Sequence, residues 1–414
     1  MAPFIKGNID LVRQLNTATI YRTINNDGPI SRTRLVEVTS LAAASVTKIT
    51  RQLINAGLVQ EVSQEESTGG RRPTLLATNK ERFYIISTKL GRGYLEVTLN
   101  RLNKEVIDRR KLTLKYQNPD AVLQETCEVI HEILESNSHI NRQQILGIGL
   151  AMPGLIDPSK GVVIENPHYQ FKHFPIVDFF EREFNIITFV DNDIRSLALA
   201  ENYFGASQGV KDSVLISVKH GIGAGIMING QLFYGCNQNA GEVGHIFIEE
   251  FGPKCNCGNY GCLETVASNP SIIRQAKELL AHGHPSQLTS HPSYDQNTQE
   301  VTIKDICQAA LNGDELSQTV IKRVGNYLGL AIATVINLFN PQMIILAGDI
   351  VKAQHYLFPS IKKQIEDKAL QSFACKTRIL ASQVDANETI GAFSLVQRAL
   401  LEGKLFTRLG LNSM

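Results

Sequence analysis

Four soft donor side chains crowd one short stretch of this chain. His245, Cys255, Cys257 and Cys262 lie inside GEVGHIFIEEFGPKCNCGNYGCLETVAS, with the thiols spaced Cys-x-Cys-x4-Cys. Thiolate sulfur and imidazole nitrogen in a set of four match the tetrahedral preference of Zn2+. Gly252, Gly258 and Gly261 leave the backbone free to fold tightly around a small ion. A shell filled entirely by protein has no open position for water, so one structural rather than hydrolytic Zn2+ per chain is expected. The same fold would fix Glu242 and Glu264, the carboxylates on either side of the ligand set.

Residues 1–80 read as a separate module. They carry ten Lys/Arg against six Asp/Glu, a net +4 in a chain whose total is +1. Leu11, Leu15, Ala18, Tyr21 and Ile24 recur at helical spacing, and Asn26-Asp27-Gly28-Pro29 ends that helix. Ser31 is placed to cap a second helix, SRTRLVEVTS. In the third, AAASVTKITRQLINAGL, the apolar stripe Val46, Ile49 and Leu53 lies away from Ala44, Thr47, Lys48 and Arg51. With Ser45, these residues suit a helix entering the DNA major groove: small side chains permit close approach, and Lys or Arg reach phosphates and guanine edges. Two strands around a tip bearing Arg71 and Arg72 follow, a wing suited to the minor groove. A winged helix-turn-helix is expected, dimeric on a palindromic operator.

From residue 81 onward strands and helices alternate: a strand-rich start, a helix at 119–136, the strand ILGIGLAMPGLID, the helix FPIVDFFEREFN, a strand–turn–helix in IITFVDNDIRSLALAENYFG, and a hairpin in DSVLISVKHGIGAGIMING. This is an α/β pattern. The run Gly241-Glu242-x-Gly244-His245, followed by C-x-C-G-x2-G-C-x-E-x3-S ending at Ser268, resembles the ROK family of sugar kinases and sugar-responsive repressors. The resemblance covers nearly all of residues 81–414. It implies a two-lobed body of the hexokinase/actin type with a sugar cleft between the lobes. The expected division is 1–80, then a small lobe 81–194 completed by 390–414, then a large lobe 195–389 carrying the zinc loop and a dimer surface.

The family's two ATP-phosphate loops are altered. Where its kinases have Asp-x-Gly-Gly-Thr, this chain has Lys89-Leu90-Gly91-Arg92-Gly93. Where they have Leu-Gly-Thr-Gly-x-Gly-Gly-Gly, it has Val218-Lys219-His220-Gly221-Ile222-Gly223-Ala224-Gly225. Phosphoryl transfer depends on positioning and metal-assisted neutralisation of charge, so loss of both loops implies no kinase activity. The sugar residues implied by the resemblance are retained: Gly154, Asn192, Asp193, Glu242, His245 and Glu264. His245 would offer one ring nitrogen to zinc and the other to a sugar hydroxyl.

Stretches such as STGGRR, DIRSLALAE and INLFNPQ are similar to the family's amino-sugar repressors, which implies N-acetylglucosamine 6-phosphate as inducer. Two readings of Lys219, His220 and Arg92 stay open: holders of the inducer's phosphate, or solvated residues. Other classes stay open too, namely a glucose-type repressor released by a transporter subunit and a kinase with a DNA-binding appendage. Seven cysteines, three of them in the metal pattern, suit a reducing cytoplasm. No apolar run approaches the roughly 20 residues of a membrane span, and MAPFIKGNIDLVRQLN lacks a signal-peptide core. The expected assembly is a dimer or tetramer with operator DNA and an amino-sugar phosphate as partners, and no membrane.

Overall fold

The computed structural model describes residues 9–62, 74–115, 117–290, 301–385 and 388–411. Its contacts divide the chain into two units: residues 1–154, 158–191 and 392–414, and residues 155–157 and 192–391.

The first unit begins with α1 (Ile9–Asp27), β1 (Ile30–Ser31), α2 (Arg32–Thr39) and α3 (Ala43–Asn55), followed by β2 (Val59–Val62) and β3 (Leu75–Thr78). Ser31 caps α2 by accepting the Arg34 N–H at 3.2 Å. β2 and β3 pair antiparallel and β1 adds to β3. Ala18, Tyr21 and Ile24 are buried as expected for the inner stripe of α1. Leu11 and Leu15 are not: they are 44% and 55% exposed.

The rest of this unit is built on a sheet of β4 (Tyr84–Gly91), β5 (Tyr94–Arg101), β6 (Val106–Thr113), β7 (Ile145–Met152) and β11 (Thr188–Asn192), in the order β11-β7-β4-β5-β6. β4, β5 and β6 are antiparallel, and β7 is parallel to β4. Between them in sequence come α4 (Pro119–Ser136), the short β8 (Leu155–Asp157), the paired β9 (Val162–Asn166) and β10 (Phe171–Phe174), and α5 (Ile176–Phe184). Asn118 caps α4 with Pro119 in the first turn, a start that needs no partner for the missing N–H.

The second unit repeats this topology. β12 (Ser213–Val218), β13 (Ile222–Ile228) and β14 (Gln231–Leu232) are antiparallel, while β15 (Met343–Ala347) and β16 (Arg378–Ala381) continue in parallel, giving β14-β13-β12-β15-β16. α6 (Asp193–Phe204) packs on β12 and β13. α7 (Leu263–Ala267), α8 (Asn269–Ala281), α9 (Ile303–Leu311) and α11 (Gln354–Lys368) surround α10 (Glu315–Phe339), and the short α12 (Gln371–Ala374) leads into β16. α10 is long and apolar enough to cross a bilayer by length and composition alone. Here Val320, Ile321, Val324, Leu328, Ile332 and Ile336 fill the core instead.

The last helix, α13 (Ile390–Leu401), returns the chain to the first unit. Gly149 of β7 makes room for it: a Cβ there would lie 2.0 Å from the Ala392 carbonyl oxygen. The segment after α13 then packs on α1. Gln14 Nε2 donates to the Gly403 carbonyl at 3.2 Å, and Phe406 meets the buried Tyr21 ring edge-on, centroids 6.1 Å apart. Burial of the Tyr21 hydroxyl raises its pKa. Phe406→Ala removes a fully buried ring and is expected to cost about 3–5 kcal/mol. Urea unfolding followed by circular dichroism measures it, and residues 9–27 should become the first segment cut in limited proteolysis.

Candidate metal and ligand site

The metal candidates lie in one loop of the second unit. A single turn, Val243–His245, follows Glu242, and its backbone closes through His245 N–H to Glu242 O at 3.1 Å. The chain then leaves and returns antiparallel to itself: Leu263 N–H bonds Ile246 O at 2.9 Å, and Ile248 N–H bonds Gly261 O at 2.8 Å. That return sets Cys262 beside His245. A tighter bend inside it, closed by Cys255 N–H to Asn259 O at 2.7 Å, presents Cys255 and Cys257. Gly261 has φ +67°, and a Cβ would lie 1.9 Å from Glu249 O, so only glycine fits the crossing.

The four ligand atoms lie within 4.8 Å of one another. Cys257 Sγ is 3.7 Å from Cys262 Sγ, and Cys255 Sγ is 3.6 Å from His245 Nδ1. Zinc bond lengths give tetrahedral edges of about 3.8 Å for S···S and about 3.6 Å for S···N. The donor chemistry and the spacing therefore fit that ion. The Asn259 backbone N–H and neighbouring thiols draw the Cys257 thiol down to about 7, whereas burial and the adjacent sulfurs push Cys262 up to about 12. A cation in the middle would favour the thiolate at both.

His245 turns its other nitrogen outward: Nε2 lies 3.9 Å from Glu242 Oε2. Glu264, in the first turn of α7, accepts the Ile222 N–H at 3.3 Å through Oε2. One imidazole thus joins the thiol cluster to Glu242, and the loop's far end carries Glu264 to the β12–β13 turn. Lys219 and His220 form that turn, held by Lys219 N–H to Gly221 O at 2.9 Å and Asn269 N–H to Lys219 O at 2.8 Å. Asn192 and Asp193 sit where β11 passes directly into α6, with no intervening turn. Asn192 Oδ1 caps the helix, accepting the Ile194 N–H at 2.9 Å and the Arg195 N–H at 3.3 Å, which leaves Asp193 in the first turn.

Gly154 and Arg92 belong to the first unit. Gly154 has φ +115°, and a Cβ would lie 2.5 Å from Glu165 O. Arg92 is exposed in the β4–β5 turn, while Lys89 is buried in β4 opposite Glu96. A residue that local spacing did not single out controls this turn. The fully buried Tyr169 hydroxyl accepts the Gly93 N–H at 2.9 Å and donates to Gly91 O. On α3, Ala44, Thr47, Lys48 and Arg51 are exposed and Ser45 is half-buried, opposite the buried Val46, Ile49 and Leu53. Arg71 and Arg72 lie outside the described residues.

Two five-stranded sheets of one topology, a Cys3His loop and the flanking carboxylates define a class, and the chain belongs to the ROK family, whose model matches residues 85–399. Within that class it is 43% identical over 403 residues to the N-acetylglucosamine repressor of Escherichia coli O157:H7, covering 97% of each chain. It is also similar to the crystal structure of a ROK family transcriptional regulator described as a homologue of the E. coli MLC protein. That likeness has TM-score 0.88 and 39% identity over 96% of this chain and 99% of the other. A ROK family glucokinase from Streptomyces griseus shares the fold of the body, with TM-score 0.65 and 23% identity over 76% of this chain and 99% of that one. The chain is accordingly a repressor-type member of a family whose fold also serves kinases.

Tyr169→Phe leaves the Gly93 N–H and Gly91 carbonyl short of a partner in a buried site. The expected loss is about 1–3 kcal/mol, read as a lower urea midpoint with an unchanged m-value.

Proposed function

We propose that the chain is a transcriptional repressor of amino-sugar uptake and catabolism, induced by N-acetylglucosamine 6-phosphate and without kinase activity. The observation that carries this reading is likeness along nearly the whole length, residues 1–80 included, to a repressor named for N-acetylglucosamine. In this reading residues 1–80 form a winged helix-turn-helix. The exposed face of α3, with Lys48 and Arg51, enters the major groove, and Arg71 and Arg72 reach the minor groove. Two such modules of a dimer or tetramer grip a palindromic operator in the cytoplasm.

The sugar hydroxyls are bound by Asn192, Asp193, Glu242, His245 and Glu264, since each carboxylate can accept two hydroxyl protons. One structural Zn2+ held by His245, Cys255, Cys257 and Cys262 organises the last three of these. Lys219 and His220, on the β12–β13 turn that Glu264 reaches, are the proposed partners for the inducer's phosphate. Inducer shifts the protein between DNA-holding and DNA-releasing states only by its differential affinity for them.

The likeness to a glucokinase fold keeps a second reading in view, a kinase with a DNA-binding appendage. Lys89 and Arg92 in one phosphate loop and Lys219-His220 in the other oppose it. So does Tyr169, which satisfies a backbone donor that a phosphate would otherwise use. An assay with ATP and amino sugars should give no turnover.

Operator binding in the presence of a panel of hexosamine phosphates tests the main reading: N-acetylglucosamine 6-phosphate should release the DNA and glucose 6-phosphate should not. Arg51→Ala should weaken operator binding by about 1–3 kcal/mol while sugar binding, followed by calorimetry, is unchanged. Metal analysis should return one zinc per chain, absent from Cys257→Ser. The thiols must be deprotonated and His245 neutral to bind, so protons compete with metal. Zinc transfer to a chelator should therefore accelerate as pH falls from about 8 to about 6.

A further inference from the structure

Away from the metal loop, the first unit contains a cavity of about 710 Å³. Its walls come from the end of α3 at Ala56, from Arg82 before β4, from the turn at Arg142, and from the segment after α13 at Arg408. Among the described residues three arginines line it, and no aspartate or glutamate does. In a chain of net charge +1, that is a local excess of like charge with no partner in the wall itself. Glu181 is the acidic group that acts on Arg408, and its Oε1 already accepts the Thr188 N–H at 2.9 Å. Burial lowers the pKa of Arg408 from its ordinary value despite Glu181.

The Arg82 side chain and the backbone at Arg142 are held in place. Gln144 Nε2 donates to the Arg82 carbonyl at 3.0 Å, while the Arg82 side chain lies across Gly57, where a Cβ would come within 2.6 Å of its Cδ. Its guanidinium carbon is 5.8 Å from the centroid of the Phe83 ring. Arg142 opens a single turn pinned by Asn141, whose side chain accepts the Gln143 N–H at 2.9 Å and whose own N–H donates to Gln144 Oε1 at 3.2 Å. Ala56 and Leu409, both half-buried, add apolar surface to the same walls, with the buried Phe83 and Phe184 behind them.

We propose that this cavity binds a small organic phosphate. The guanidiniums would take the phosphate oxygens through charge-assisted pairs, which arginine makes in bidentate form, and the apolar part of the wall at Ala56 and Leu409 would cover the molecule's body. The volume falls in the range of about 300–1,000 Å³ usual for small-molecule sites. The wall joins residues 1–80 to the sheet-bearing part of the same unit, so an occupant ties the amino-terminal module to that sheet. The site is separate from the carboxylates around the metal loop, which belong to the other unit.

Calorimetry on the full-length, zinc-loaded protein at constant ionic strength tests this, with phenyl phosphate as probe and inorganic phosphate and phenol as the two half-probes. Phenyl phosphate should bind saturably and more tightly than either. Arg142→Gln/Arg408→Gln should weaken it about tenfold or more, while Arg182→Gln, outside the cavity, should not, and all three proteins should melt alike. No saturable binding of phenyl phosphate, or equal binding by the Arg142→Gln/Arg408→Gln protein, overturns the proposal. Inorganic phosphate binding as tightly as phenyl phosphate overturns the role given to the apolar wall.

Discussion

Three sulfurs and one ring nitrogen packed within 4.8 Å form an arrangement that a bound cation would make favourable. Thiolates at this separation repel one another, and thiols alone supply weak hydrogen bonds that give no reason for such closeness. An ion that balanced this charge would fix the loop from Glu242 to Glu264. The consequence lies at its two ends. One carboxylate is set against the imidazole that also faces the thiols, and the other is set against the backbone of the β12–β13 turn. An ion held by the sulfurs would also hold the imidazole that faces Glu242, so the orientation of His245 beside Glu242 would depend on coordination at the sulfurs.

The same logic of satisfied groups applies to the β4–β5 and β12–β13 turns. A turn that cradles phosphate leaves backbone N–H groups pointing at the ligand, and an unbound turn must find other partners for them. In the β4–β5 turn Tyr169 provides one, accepting from Gly93 and donating to Gly91 through a single hydroxyl. In the β12–β13 turn Glu264 takes the Ile222 N–H. One backbone N–H in each turn is thus met from within the protein, in a body that shares its fold with a glucokinase and is similar over 96% of the chain to a ROK family transcriptional regulator.

Much of this was legible locally. The metal set could be read because its spacing is tight and its donors are chemically distinctive, and the helix at 119–136 because Asn118-Pro119 starts it and its apolar period is regular. The inner face of α3 could be read from Val46, Ile49 and Leu53. Contacts between residues far apart in sequence could not be read that way. Leu11 and Leu15 fit the helical period of α1 yet are exposed, since the surface α1 rests on is made partly by Phe406, almost four hundred residues away. Tyr169 carries no motif, and its role appears only when β9 and β10 bring residues 166–171 back to the β4–β5 turn. Asn192 was legible as part of an Asn-Asp pair, but its hydrogen bonds as a helix cap depend on the strand running straight into α6.

The dependence of the sugar carboxylates on the metal is the central claim, and calorimetric titration of N-acetylglucosamine 6-phosphate into zinc-loaded and zinc-stripped protein tests it most directly. The account predicts saturable binding to the loaded form, weakened about tenfold or more on stripping and restored when zinc is returned. Equal affinity for both forms, with the stripped protein still folded, would contradict it.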